Sequence, residues 1–177
     1  MDSRPLSPGH FTASEVVERL GLEVIDQEGG FFRRTAESAL RPAGPGGRRA
    51  WSAIYSQLTP DGFSAFHRLP ADEVWCFHAG DSLESLRLKP DGTGEWVRLG
   101  LDFLAGDQLQ SVVPAQTWQG TRLLPGGRWA LSSCLVSPEF VWEDFVLGDR
   151  AALIAAYPVW SAGIKTLTRP HPPAGRR

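Results

Sequence analysis

Cysteine is scarce in this chain: Cys76 and Cys134 are its only two, and no CxxC spacing links them. A disulfide framework and a zinc knuckle are thereby excluded, and a reducing cytoplasm is the expected compartment. No apolar run approaches the length a bilayer demands, and the opening MDSRPLSPGH carries no apolar segment behind its charge. Secretion and membrane anchoring are therefore not expected. Basic clusters are equally thin, since Arg33-Arg34, Arg48-Arg49 and Arg176-Arg177 are mere pairs, too short to track a phosphate backbone. With a formal charge of −2 and a pI near 6.1, nucleic acid is not the expected partner. Methionine occurs once and lysine is sparse, while arginine, alanine, glycine and proline abound, a coding bias of GC-rich bacterial genes.

What is present fits one domain with enough apolar content for a core, residues 1–168 of the 177. The remainder, 169–177, reads RPHPPAGRR, a proline-rich tail expected to be mobile, which removes His171 from consideration. Near the start, Thr12-Ala13-Ser14-Glu15 has the form of a capping box, with Val16, Val17 and Leu20 at helical spacing and Gly21 placed to close the helix. From about Ala50 to Val146 short aromatic and branched segments alternate with TPDG, LPADE, KPDGTG, LAGD and LPGGR, the texture of an antiparallel sandwich or barrel. Asp149 can cap RAALIAAY, which Pro158 interrupts before a second helical stretch around Ala162 to Leu167.

The densest chemistry lies in FHRLPADEVWCFHAG, Phe66 to Gly80. Period-two alternation puts Phe63, Ala65, His67 and Leu69 on one strand face and Glu73, Trp75 and Phe77 on the next, so His67 and Glu73 can share an interior. The same parity sends His78 to the opposite face beside Cys76, unless a bulge before Gly80 reverses it and returns His78 to the site. Cys76 lacks an activating base and reads as an inert thiol. Trp75, Phe77, Phe63 and Trp118 are the candidate aromatic walls of a small-molecule pocket, with Gln57 and Gln119 among its polar groups.

Gly62, His67, Glu73 and Gly80, followed by Gly106-Asp107, Pro114 and Gln119, resemble the two motifs of the cupin superfamily. The blocks EGGFFRR, FSAFHRLPADEVWCFHAGDSLE, VVPAQTWQG and FVWEDF resemble the subgroup called cupin-5, or DUF985, over roughly Ser14 to Leu167. The chain departs from the wider pattern at Leu69 and Gln119, which stand where ligand histidines are usual. Within the subgroup it departs at Arg34, Ala36, Cys76 and Gln116.

The resemblance implies a mainly β fold, a single cupin double-stranded β-helix (jelly-roll) barrel with short flanking N- and C-terminal helices, and pairing into a homodimer through the sheets. It implies a small-molecule substrate and three readings of the site. In the first, an isomerase or epimerase moves a proton beside a carbonyl, with His67 as base, Glu73 orienting it, and Tyr55 and Arg33 available to protonate the carbanion or steady its oxygen. In the second, His67, Glu73 and Gln119 hold a divalent ion (Zn, Mn, Fe or Ni) for a lyase or oxygenase, a weak donor set with a single carboxylate. In the third the barrel binds a metabolite without turnover. Arg33, Gln57, Phe63, Trp75, Phe77, Trp118, Gln119 and His78 are the candidate substrate contacts.

Overall fold

The computed structural model describes residues 4–42 and 47–169. The tail from residue 170 onward, expected to be mobile, lies outside the described residues, as does His171.

The first helix, α1 (Ala13–Leu20), starts where Thr12 accepts from the Glu15 amide while the Glu15 side chain accepts from the Thr12 amide. It stops at Gly21, whose left-handed backbone (φ 59°) turns the chain away. Among the described residues eleven strands follow: β1 (Glu23–Val24), β2 (Phe31–Glu37), β3 (Ser52–Leu58), β4 (Ser64–Arg68), β5 (Asp72–Gly80), β6 (Leu83–Leu88), β7 (Gly94–Leu99), β8 (Gln110–Val113), β9 (Trp118–Leu123), β10 (Ala130–Ser137) and β11 (Val146–Leu147). Among the described residues two helices come after the strands, α2 (Arg150–Ala156), capped by Asp149, and α3 (Ser161–Thr166), separated by the turn at Pro158.

The strands form two antiparallel sheets, one of six in the order β1-β2-β3-β10-β5-β8 and one of five in the order β11-β4-β9-β6-β7. Between them lies a core of Leu58, Trp75, Phe77, Leu83, Leu99, Val113, Leu123, Ala130 and Cys134. Each sheet is also covered outside. Val16, Val17 and Leu20 of α1 pack with Phe11, Phe31, Tyr55, Trp129 and Leu131 over the six-stranded sheet. Leu153 of α2 and Ile164 of α3 pack with Phe66, Leu86 and Leu88 over the other. Among the described residues no helix is long and apolar enough to cross a membrane.

Two irregularities decide which side chains enter the barrel. In β4 the pairing with β9 slips between Ser64 and His67, so both of those side chains face inward and Phe66 faces the helices. In β5 the pairing with β10 slips so that Phe77 opposes Ser132 and Ala79 opposes Leu131, leaving His78 as the extra residue. Despite that bulge His78 remains on the outer face, with its Nε2 2.5 Å from Ser133 Oγ.

Candidate active site

The hydrocarbon core fills only one end of the barrel. At the other end a cavity of about 130 Å³ is walled by Ile25, Phe32, Ile54, Leu69, Trp75, Val136, Phe140, Val141 and Trp142. Its polar positions are Glu28, Arg34, Ser52, Ser56, His67, Glu73 and Cys134. A small apolar chamber with a few convergent polar groups is the usual form of a ligand site.

His67 is the centre of that polar set, with only 3% of its surface exposed. Its Nδ1 donates to the Ala65 carbonyl at 2.9 Å and lies 3.8 Å from Glu28 Oε1; its Nε2 lies 3.9 Å from Glu73 Oε2. The ring stacks on Phe145, centroids 5.1 Å apart at 21°. Burial pulls the imidazole pKa down, but the charges of Glu28 and Glu73 outweigh it and hold the ring up at about 9. At neutral pH it is therefore an imidazolium between two acids. Burial pushes the Glu28 carboxyl up, partly offset by the charge of His67 and the hydroxyl of Ser64. The same burial, with both carboxylates nearby, drives the Cys134 thiol well above its ordinary value, so it stays protonated.

Gln119 locks Glu73 in place. The indole N–H of Trp75, which can only donate, gives its proton to Gln119 Oε1 at 3.2 Å, so the amide must turn its NH₂ toward Glu73 Oε2. This geometry bears on a metal. The amide oxygen expected as a ligand is committed to Trp75, and Glu28 and Glu73 flank opposite nitrogens of the ring rather than one common point. Among the described residues no three histidine, cysteine, aspartate or glutamate side chains gather so as to hold an ion. His67, Glu73 and Gln119 thus do not fit the divalent-ion reading.

Several expected contacts lie elsewhere. Tyr55 and Gln57 share the outward face of β3: Tyr55 packs under α1 against His78, and Gln57 Nε2 donates to the Ala13 carbonyl at 3.0 Å. Arg33 is on that face too, 5.9 Å over the Tyr55 ring, while its neighbour Arg34 lines the cavity. Trp118 faces the helical layer with Arg68 stacked on it, and Phe63 packs outside the barrel beneath Arg169. Phe77 does point inward, but into the hydrocarbon core below the cavity. His78 stands outside, paired with Ser133, and burial lowers its pKa. The structure therefore gathers His67, Glu73, Trp75 and Gln119 and disperses the rest.

Sequence reasoning missed Arg34, Phe140 and Trp142 on the walls, Phe145 on the ring and, above all, Glu28. Its only signal is position, an acid directly before Gly29-Gly30, both of which take positive φ (101° and 75°) and turn the chain into β2.

Two sheets closed over an acid-flanked histidine define a cupin barrel. More particularly, the chain belongs to the family described as Cupin superfamily (DUF985), matched over residues 14–148. It is similar to protein SO0799 from Shewanella oneidensis, at 38% identity over 91% of this chain and 99% of that one, with a TM-score of 0.83. A hypothetical protein from Leishmania major is 31% identical over 89% of this chain and 99% of its own, with a TM-score of 0.82. Oxalate decarboxylase from Bacillus subtilis, at 12% identity over 87% of this chain and 41% of its own with a TM-score of 0.52, shares the fold alone. Among curated proteins none matches the chain.

Proposed function

We propose that this cupin is a small-molecule isomerase or epimerase that moves a proton beside a carbonyl, with His67 as acid and Glu73 as base. The observation that supports the reading is the buried imidazole on a cavity wall, facing Glu73 across 3.9 Å. At that distance the two groups are not hydrogen-bonded to each other, and both border the cavity, from which a substrate oxygen can approach Nε2 while a neighbouring C–H or O–H approaches the carboxylate. Whereas the sequence alone suggests His67 as the base, a pKa of about 9 makes it the proton donor at neutral pH. The step balances without a co-reactant: Nε2–H protonates the carbonyl oxygen as Glu73 removes the proton on the adjacent carbon. Glu73 then returns that proton to the other face of the same carbon once the enol has turned over, or to the former carbonyl carbon, and the neutral imidazole recovers its proton from the oxygen that becomes the product carbonyl. Glu28 supplies the counter-charge that keeps the ring protonated. Proton exchange tests this. Incubated in D₂O with a panel of small carbonyl compounds, the protein is expected to catalyse deuterium uptake at the adjacent carbon, and His67→Gln and Glu73→Gln to abolish it. Saturable binding with no exchange for any compound would replace the reading with that of a metabolite-binding module.

We infer also that two copies pair through the open edge of the six-stranded sheet. β8 has a partner on one side only, and Leu101, Phe103, Leu104, Leu109 and Val112 are exposed on it and on the segment leading to it. An antiparallel edge can pair with its own copy about a two-fold axis, which satisfies its free backbone groups and covers these side chains together.

A further inference from the structure

Arg169, assigned from sequence to the mobile tail, is instead tied to the loop that carries Glu28. Its Nη1 donates to the Glu28 carbonyl at 2.6 Å and to the Gln27 carbonyl at 3.4 Å, and its Nη2 to the Phe63 carbonyl at 3.5 Å. Its guanidinium carbon stands 4.7 Å over the Phe63 ring. Gly29 makes the seat. At its φ of +101° a side chain would be strained, and a Cβ would collide with the Arg169 guanidinium and the Phe63 carbonyl. The Glu28 carbonyl also accepts from the Ala65 amide at 3.0 Å, two residues before His67. Two donors from different segments converge on one carbonyl, and so fix the peptide from which the Glu28 side chain enters the cavity.

We propose that Arg169 is a positioning residue of the site: it clamps the Glu28 peptide against β4 and so aims the carboxylate at Ser64 and the Nδ1 side of His67. The proposal deepens the reading of His67 as an acid, because an imidazolium in an apolar chamber requires a counter-charge fixed in place. The groups that face Glu28 are His67 and Ser64 from β4, Glu73 from β5, and Arg169 from beyond α3. Burial and Glu73 disfavour its charge, while His67, Ser64 and Arg169 favour it. Without Arg169, Glu28 is expected to take up a proton at higher pH and His67 to lose part of its support.

NMR titration of the full chain and its Arg169→Met and Arg169→Lys variants tests the clamp. In Arg169→Met the Glu28 midpoint is expected to rise and the His67 midpoint to shift as its counter-charge is displaced, while His78 on the outer face does not move. Arg169→Lys is expected to recover part of the shift, since an ammonium restores the charge without the guanidinium fork. A folded Arg169→Met protein with His67 and Glu28 titrating as in the unmodified chain would overturn the proposal. If that variant does not fold, Arg169→Lys decides, and an unmoved Glu28 midpoint in it overturns the proposal equally. Because the readout is titration rather than turnover, loss of the clamp and loss of the proton-transfer reading are distinguishable. Full turnover in His67→Gln would remove only the latter.

Discussion

At the scale of single residues, the acid-flanked imidazole makes a claim about stability as well as chemistry. Folding raises the pKa of His67 from 6.5 to about 9. A group raised in this way contributes its full stability below its unfolded pKa, and that contribution is lost as pH rises through the folded value. The gap is worth on the order of 3 kcal/mol. Urea midpoints are therefore expected to fall as pH climbs from roughly 6.5 to 9, and His67→Gln is expected to flatten that dependence. Glu28, also raised on folding, acts with the same sign in a window that begins lower. Equal slopes in the two proteins would show that the ring is not held charged. Gln119 supports a second expectation. Gln119→Leu leaves the Glu73 carboxylate without its amide donor and the Trp75 indole without its acceptor, both buried, and is expected to cost about 2–4 kcal/mol. The same commitment of donors predicts that added Zn²⁺ or Mn²⁺ will not raise the melting temperature, as a tightly held ion would by mass action.

At the scale of elements, the site is made by strands that deviate from regular pairing and by a strap that crosses the barrel mouth. Residues 138–147 carry Phe140, Val141 and Trp142 into the cavity wall and Phe145 onto His67. Charges tie the strap down: Asp144 to Arg48 at 2.5 Å, Glu139 Oε1 to the Arg49 amide at 2.8 Å, and the Phe140 carbonyl to Arg34 at 3.2 Å. Because the Arg48–Asp144 pair is partly exposed, Asp144→Ala is expected to cost under about 1 kcal/mol of global stability yet to speed amide hydrogen exchange across 140–147. Unchanged exchange there would show that the aromatic contacts alone hold the strap.

Element by element, the sequence showed the helices clearly because their caps are local: Thr12, Glu15, Gly21 and Asp149 act within a turn of the helix they bound. His67 and Glu73 were legible because a turn of a few residues carries the chain from one sheet to the other, so the inward positions at the end of β4 and the start of β5 face each other across the barrel. Tyr55, Gln57 and Arg33 were misplaced because α1 covers the outside of the sheet, so both faces of β3 are buried and hydrophobicity cannot tell inside from outside. Phe63 went astray because the bulge in β4 reverses the parity on which its placement relied. Glu28 arrives from a loop whose path depends on positive-φ glycines and a distant arginine, and no spacing rule reaches that far.

At the scale of the whole molecule, the covered outer faces of the two sheets leave their edges, and of these β8 carries the exposed apolar side chains named above. Asp107 makes the segment before β8 rigid, since its carboxylate accepts from Ser82 Oγ at 2.5 Å, from Arg98 Nε at 2.8 Å and from the Asp102 amide at 3.1 Å. Leu104, fully exposed, and Phe103 are therefore presented on a fixed turn, Phe103–Ala105, rather than on a floppy loop. A rigid apolar projection beside an unpaired strand loses little conformational freedom on association, which favours pairing over mere stickiness. If β8 pairs with its own copy, the hydrodynamic mass of the intact protein is that of two chains, and Val112→Lys together with Leu104→Glu shifts it to one. The cavity lies at the other face of β5, so the double variant is expected to keep the His67 titration near 9 while losing its partner. A dimer that survives both substitutions would move the interface away from β8.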